Sequence, residues 1–521
     1  MNAVTIAVLC GFLAIIITSV SRRQSNANLP PGPKGNWIFG NLGDLISQYQ
    51  WKRFAAWSKT YGDVIYLTVL GRPVIVLNKF EHARELMEKR GATYSDRPCM
   101  PYITDLCFLP FSDEKWRSHR RLLQQYLNPR AVAQFRPIQT KCVRSLLNDL
   151  LTDPDDFWKH VRQFAASAVL SATYGYTPAR KEDPLIMLNN HSESAIIKPG
   201  PPGATMVDLF PMLRFIPTIL PWTSFKKAAL EARDALDEMS ARPFKMVKEQ
   251  RASGTAVPSL LTHMLDDLER QGVDDEIRFE VVKDVCGSTY RGEATNRFVV
   301  VLTNSVLSSA GVATTMATLY TFILAMVLNP EVAKKAQEEL DSVSDGERLP
   351  TFDDQESLPY ITCIMKECLR WGPPTPLGIS HRAMEEGELD GKFIPKDSMI
   401  VPNLWYMTHD ERNYADPNRF NPDRFARAGE SEATILDPSA IVFGFGRRIC
   451  PGRHFAEADL WLAIANILAV FDILPTKDQN GADIIPKVEF TPGLNSWPKE
   501  FKCRFIPRRE KTAALAKSAH A

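Results

Sequence analysis

The run Phe443-Gly444-Phe445-Gly446-Arg447-Arg448-Ile449-Cys450-Pro451-Gly452 sets one cysteine inside a glycine-rich loop. Glycines at 444, 446 and 452 let the backbone close around its sulfur. Arg447, Arg448 and the N-terminus of the helix-forming run that follows favour thiolate over thiol. A thiolate of this kind is a nucleophile or a metal ligand. A nucleophile needs a base, and His454 lies one turn further on, but nothing around it resembles a cysteine-protease signature. A single thiolate in such a loop suits the axial position on a haem iron.

Positioning that sulfur falls to a body with mostly helical periodicity. Residues 157–174, 225–249, 281–328 and 330–343 place apolar side chains at three and four spacings with Ala, Leu, Lys and Glu between them. Two β-branched runs, residues 64–68 and 73–77, flank Gly71 and read as a hairpin, and residues 388–401 return to short strand-like pieces. Loops are expected at 198–203 and 252–258, both rich in Gly and Pro or Ser. The expected fold class is mainly α with a minor β portion. No repeat, low-complexity block or long hinge divides it, and the tail from 508 to 521 is expected to be disordered.

The Cys450 loop resembles the FxxGxRxCxG signature of the cytochrome P-450 superfamily of haem-thiolate monooxygenases, matched at Phe443, Gly446, Arg448, Cys450 and Gly452. Other motifs of that family follow in its order. Glu367 and Arg370 form its ExxR pair, on one helix face by their i, i+3 spacing, and Arg424 is similar to the third member of that structural network. Trp116 and Arg120 match a WxxxR pair on a helix that in the family meets a haem propionate. His381 stands where many membrane-bound relatives have another propionate donor. The resemblance runs from Leu29 to about residue 507, and its flavour is that of fungal members of secondary metabolism and aromatic-compound oxidation. It implies the cytochrome P-450 fold, haem b with Cys450 as axial ligand of its iron, and dioxygen as co-substrate. The implied substrate is an apolar terpenoid, steroid, polyketide or polycyclic aromatic. Thiolate ligation favours O–O cleavage. No dinucleotide fingerprint with its strand and helix context is present, so electrons have to come from a partner. The resemblance names an NADPH-dependent flavoprotein reductase, with a small haem protein as a further donor.

Composition agrees with a globular enzyme. With 45% hydrophobic residues among 521, disorder is excluded, and 62 basic against 61 acidic side chains give a net charge of +1 that argues against nucleic acid. Nine cysteines, an odd number without a CxxC pair, exclude a disulfide scaffold or zinc finger and read mostly as small buried hydrophobes. Residues 4–20 carry no charge and are followed by Arg22 and Arg23, which reads as a single transmembrane helix with its C-terminal side in the cytosol. A cleaved signal peptide is the competing reading, opposed by the uncharged start Met1-Asn2-Ala3. The expected organisation is an anchor at 1–21, a basic and proline-rich hinge at 22–35 holding the body off the endoplasmic reticulum membrane, a catalytic domain at 36–507 and the tail.

Two departures from the family stand out. Its distal helix usually carries an acid before an alcohol, whereas Ala310-Gly311-Val312-Ala313-Thr314-Thr315 keeps the alcohol as Thr314, the expected catalytic residue, and has Ala313 in place of the acid. Residues 292–309 also intervene where relatives run almost directly into this helix, and they read as an insertion. Both features favour an alternative function, a haem-binding relative with little or no turnover. Substrate-facing segments are expected at 98–111, 189–210 and 496–501.

Overall fold

The computed structural model describes residues 28–98, 113–179, 183–188, 207, 211–218, 223–272, 276–291, 310–426 and 435–518. The expected anchor, the loop at 198–203, the segment 292–309 and most of the first two substrate-facing segments lie outside the described residues. The longer helices are α1 Gln50–Tyr61, α2 Asp113–Tyr126, α3 Arg136–Thr152, α4 Phe157–Tyr174, α5 Ser224–Ala252, α6 Leu260–Arg270, α7 Glu276–Arg291, α8 Ala310–Leu328, α9 Pro330–Ser344, α10 Pro359–Trp371, α11 Arg453–Val470 and α12 Glu510–Ser518. The strands are β1 Val64–Val69, β2 Arg72–Leu77, β3 His381–Arg382, β4 Gly387–Leu389, β5 Lys392–Ile394, β6 Met399–Pro402, β7 Phe471–Lys477, β8 Asp483–Ile484 and β9 Cys503–Pro507. The expected pattern over 281–328 is thus described as two helices, α7 and α8.

Local chemistry fixes many of these boundaries. α9 and α10 begin on Pro330 and Pro359, where a missing N–H costs nothing. α6 opens with a capping box between Ser259 and Thr262. α4 stops at Gly175, whose φ of 67° closes the last turn through its N–H to Ser171 O. The β1–β2 hairpin turns on Leu70 and Gly71, both at positive φ as a tight two-residue turn requires.

The principal sheet has the order β1-β2-β6-β3, with β2 and β6 parallel and the other pairs antiparallel. This register sets His381 opposite Ile400. The helical layer packs around α8, of which Leu319, Phe322, Ile323 and Leu324 are fully buried. Among the described residues only Gly311–Leu328 is long and apolar enough to cross a membrane, and it is mostly buried in the core. α11 runs beside it with Trp461, Ile464 and Leu468 equally enclosed.

Two ends of the chain differ from expectation. The tail is not disordered over 510–518. It forms α12 with Thr512 and Ala516 on one buried face, while Arg508 and Arg509 both reach Asp341 at 2.8 and 2.9 Å. The proline-rich segment is extended, as proline dictates, but it lies against the body. Pro31 O accepts the Tyr66 N–H at 3.0 Å and Asn28 O accepts that of Phe393 at 2.8 Å.

Candidate active site

The cysteine loop is held by its own backbone and by the chain it crosses. The Cys450 N–H donates to Phe443 O at 2.7 Å. Gly446 sits at φ 54°, and a Cβ there would lie 2.3 Å from Met87 O, so no other residue allows this approach. Cys450, half-buried, opens into a cavity that Gly311, Thr314, Thr315 and Thr318 of α8 also line. Arg97, His381, Phe443, Arg448 and Gly452 also line it. Among the described residues no cluster of three or more His, Cys, Asp or Glu could hold a metal.

The electrostatics of this sulfur differ from the sequence reading. Burial pushes the Cys450 thiol up; the Gly452 N–H, Arg120 and Arg453 pull the other way without prevailing. Arg448 instead turns its Nε to Ser95 O at 2.8 Å, and the stem of Arg447 passes near Gly91. In this environment Cys450 rests as a thiol, and a bound metal ion would deprotonate it outright. His454 is no base for it: its Nε2 accepts from Arg453 Nε at 3.1 Å and its Nδ1 lies near Glu457.

Haem fits the donors that remain. Arg120 is buried on α2 with Nε and Nη1 unpartnered, and burial lowers its pKa against the opposing pull of Cys450. Arg97, also buried, donates Nη1 to Ile379 O at 2.7 Å and to Ser380 O, but leaves Nε without an acceptor. Buried donors lacking acceptors are costly. The carboxylates of a porphyrin are acceptors of the right charge for these guanidinium groups, of which Arg97 lines the cavity and Arg120 interacts with Cys450. Trp116 belongs to α2, and its side chain lies outside the described residues. Arg97 was not anticipated from the sequence. Its only signal is the turn-like run Asp96-Arg97-Pro98, which a surface arginine could equally occupy.

Glu367, Arg370 and Arg424 do meet, away from the cavity. Arg370 donates Nε and Nη2 to the two Glu367 oxygens at 2.7 Å each, and Arg424 Nε bridges both at 3.2 and 3.1 Å. Arg370 Nη1 continues to Thr408 O and Pro417 O, tying α10 to the chain that leads into the cysteine loop. On the distal wall Ala313 is fully buried. Thr315 and Thr318 donate to Gly311 O and Thr314 O at 2.8 and 3.0 Å. No carboxylate is among the described residues lining the cavity.

Comparison with known proteins accords with this geometry. The Cytochrome P450 family profile matches residues 30–502. Cytochrome P450 monooxygenase 176 of Postia placenta is 37% identical, the alignment covering 100% of this chain and 98% of the relative. Cytochrome P450 monooxygenase claT of Ampulloclitocybe clavipes is 36% identical, covering 96% of each. A solved zebrafish cytochrome P450 with progesterone superposes with a TM-score of 0.68 at 21% identity, covering 89% of this chain and 100% of its own, and so supports the fold. With a cysteine loop, a guanidinium-rimmed cavity and a threonine-lined distal helix in one body, the chain belongs to the cytochrome P450 family and is a haem-thiolate monooxygenase.

Proposed function

We propose that this monooxygenase inserts one atom of dioxygen into a C–H bond of an apolar organic substrate of the terpenoid, steroid, polyketide or polycyclic aromatic kind. Its electrons come from an NADPH-dependent flavoprotein reductase. The observation that carries this reading is that Cys450 and the α8 threonines line one largely apolar cavity. Haem b, when bound, supplies an iron that activates dioxygen with two electrons. Cys450 would supply a thiolate ligand to that iron, and Arg97, Arg120 and Arg448 would hold the carboxylates of the porphyrin. Thr314 keeps a hydroxyl on the distal wall to pass protons inward, while Val169, Leu260 and Leu369 exclude water around the substrate. The uncharged run 4–20, ended by Arg22 and Arg23, supports an anchor in the endoplasmic reticulum membrane with the body in the cytosol. Trp37 and Phe39, at 70% and 51% exposure and a short way along the chain from that run, support a body resting on the membrane surface.

Cys450→Ser tests the reading directly: the thiolate-type carbon monoxide difference spectrum disappears, and with it reductase-dependent product from a panel of terpenoid, steroid and polycyclic substrates. A wild-type spectrum in the variant would sink it. A second reading, haem binding with little turnover, is favoured by one observation, the lack of a carboxylate among the described cavity residues. NADPH consumption without any oxygenated product across the panel would decide for it.

A further inference from the structure

A second cavity, of about 540 Å³, opens between the end of α2, the 3₁₀ turn Ala131–Phe135 and α6. That volume is in the range of small-molecule sites. The same three elements wall the cavity of Cys450, through Leu123 on α2, Phe135 at the end of the turn and Leu260 on α6. In the second cavity acceptors and donors are unequally satisfied. Asp267 accepts from the Tyr126 hydroxyl and is paired with Arg270, and Asp266 is paired with Arg251, which also holds Glu269. Arg130, Gln134 and His263 line the same space, and among the described residues their side chains have no hydrogen-bond or ion-pair partner. The backbone beneath them is fixed. Asn128 Oδ1 accepts the N–H groups of Arg130 and Ala131 at 3.0 Å each, which starts the turn. The capping box of Ser259 and Thr262 fixes the first turn of α6, where His263 stands. A guanidinium fork, an amide and an imidazole N–H are thus on offer while the carboxylates are occupied. An anion rich in acceptors completes such a set, and a cation does not.

We propose that this cleft is an effector site for a small organic anion with a carboxylate or phosphate group, held by Arg130 with Gln134 and His263 as further donors. A guanidinium meets either group through two parallel N–H···O bonds. Donors on the turn and on α6 close on one ligand, and Phe135 and Leu260 are carried on those same elements, so binding shifts the wall of the Cys450 cavity. Linkage makes the effect mutual: the factor by which the anion changes the affinity of a molecule in that cavity is the factor by which the molecule changes the affinity of the anion. The anion site does not depend on haem, and only the coupling rests on the reading of the first cavity.

Calorimetric titration of the full-length holoprotein with succinate and with inorganic phosphate, at constant ionic strength, tests the site. Saturable binding of at least one is expected, and the anion held more tightly names the group. Arg130→Gln should weaken it about tenfold or more, the worth of a hydrogen bond to a charged group. Arg136→Gln, which removes a neighbouring exposed arginine outside the cleft, should leave it unchanged. No saturable binding of either anion, binding indifferent to Arg130, or equal losses in the two variants would overturn the proposal, the last by reducing it to surface charge. Coupling is read with phenylimidazole, whose ligation of the iron shifts the Soret band. Its midpoint should move with saturating anion in wild type and stay in Arg130→Gln. A midpoint that stays in wild type would overturn the effector role. Absence of any Soret band would overturn the coupling together with the haem reading, with the anion titrations still deciding the site.

Discussion

Exchanging Glu367 for glutamine keeps the shape of a fully buried side chain and removes its charge. Glu367 Oε1 accepts from Arg370 Nη2 and from the Asn421 N–H at 2.7 and 2.8 Å, and Oε2 accepts from Arg370 Nε at 2.7 Å, with Arg424 Nε shared between them. Whichever oxygen becomes an amide nitrogen, donors then face a donor, and two buried guanidinium groups are left with backbone carbonyls alone. Removing one partner of a buried ionic pair costs about 3–5 kcal/mol. A domain has only about 5–15 kcal/mol in total, so Glu367→Gln should remove a large share of the stability. Arg424→Met leaves the two-bond contact of Glu367 with Arg370 in place and should cost less. Urea unfolding of the haem-loaded protein, followed by Soret absorbance and far-UV circular dichroism, should show a lower midpoint at an unchanged slope. A loss under about 1 kcal/mol, the worth of an exposed pair, would refute the reasoning and mean that water reaches this network.

Thr314→Ala should raise peroxide released per NADPH and lower product, since a positioned proton donor is worth about 10²–10⁴-fold; equal coupling would mean that the cavity delivers protons without this hydroxyl. Removing residues 1–27 should weaken membrane association and leave the Soret band intact, because the described body starts with Asn28 bonded to Gly391 and Phe393; loss of haem from soluble truncated protein would contradict this. Asp459, buried on α11, has its carboxyl pushed up to about 8 by burial, with the Gln139 amide pulling down. Its folded-state value exceeds the unfolded one, so its contribution is present below about pH 4 and lost as pH rises through about 8. Asp459→Asn should therefore lose less stability than wild type between about pH 6 and about pH 9 in urea titrations, and parallel slopes would refute the assignment.

What the sequence made legible is what contiguous residues determine. The β1–β2 turn, the i, i+3 pair of Glu367 and Arg370, and the tight loop at Cys450 each lie within a few positions, so residue type and spacing nearly specify the geometry. Contacts between distant segments were less legible. Arg448 stands nearest to Cys450 along the chain, yet the cations that bear on its sulfur are Arg120, more than three hundred positions away, and Arg453, while Arg448 donates its Nε to Ser95 O. The tail was misread for a related reason. Lys511 to Ser518 is too short to hold a helix alone, and the surface of α3 and α11 that shelters Thr512 and Ala516 cannot be seen from the tail's own residues.

The same separation explains why cofactor and fold are coupled. Arg97 and Arg120 lie on different segments, yet both bury guanidinium nitrogens with no acceptor. An unsatisfied buried donor costs about 1–3 kcal/mol, more when charged, so the body carries this cost until carboxylates arrive. Haem that satisfies them binds the folded state alone and adds RT ln(1 + [L]/Kd) to its stability. The Glu367 network lies outside the cavity, yet through Thr408 and Pro417 it fixes the chain that leads toward the cysteine loop. Its charge is matched within the scaffold, while Arg97 and Arg120 keep guanidinium nitrogens without an acceptor. Haem occupancy should accordingly protect the protein most where the scaffold is weakest: in Glu367→Gln, added haem should recover more of the lost unfolding midpoint than it adds to wild type. Equal gains in the two proteins would show that scaffold and cofactor stabilise the fold independently.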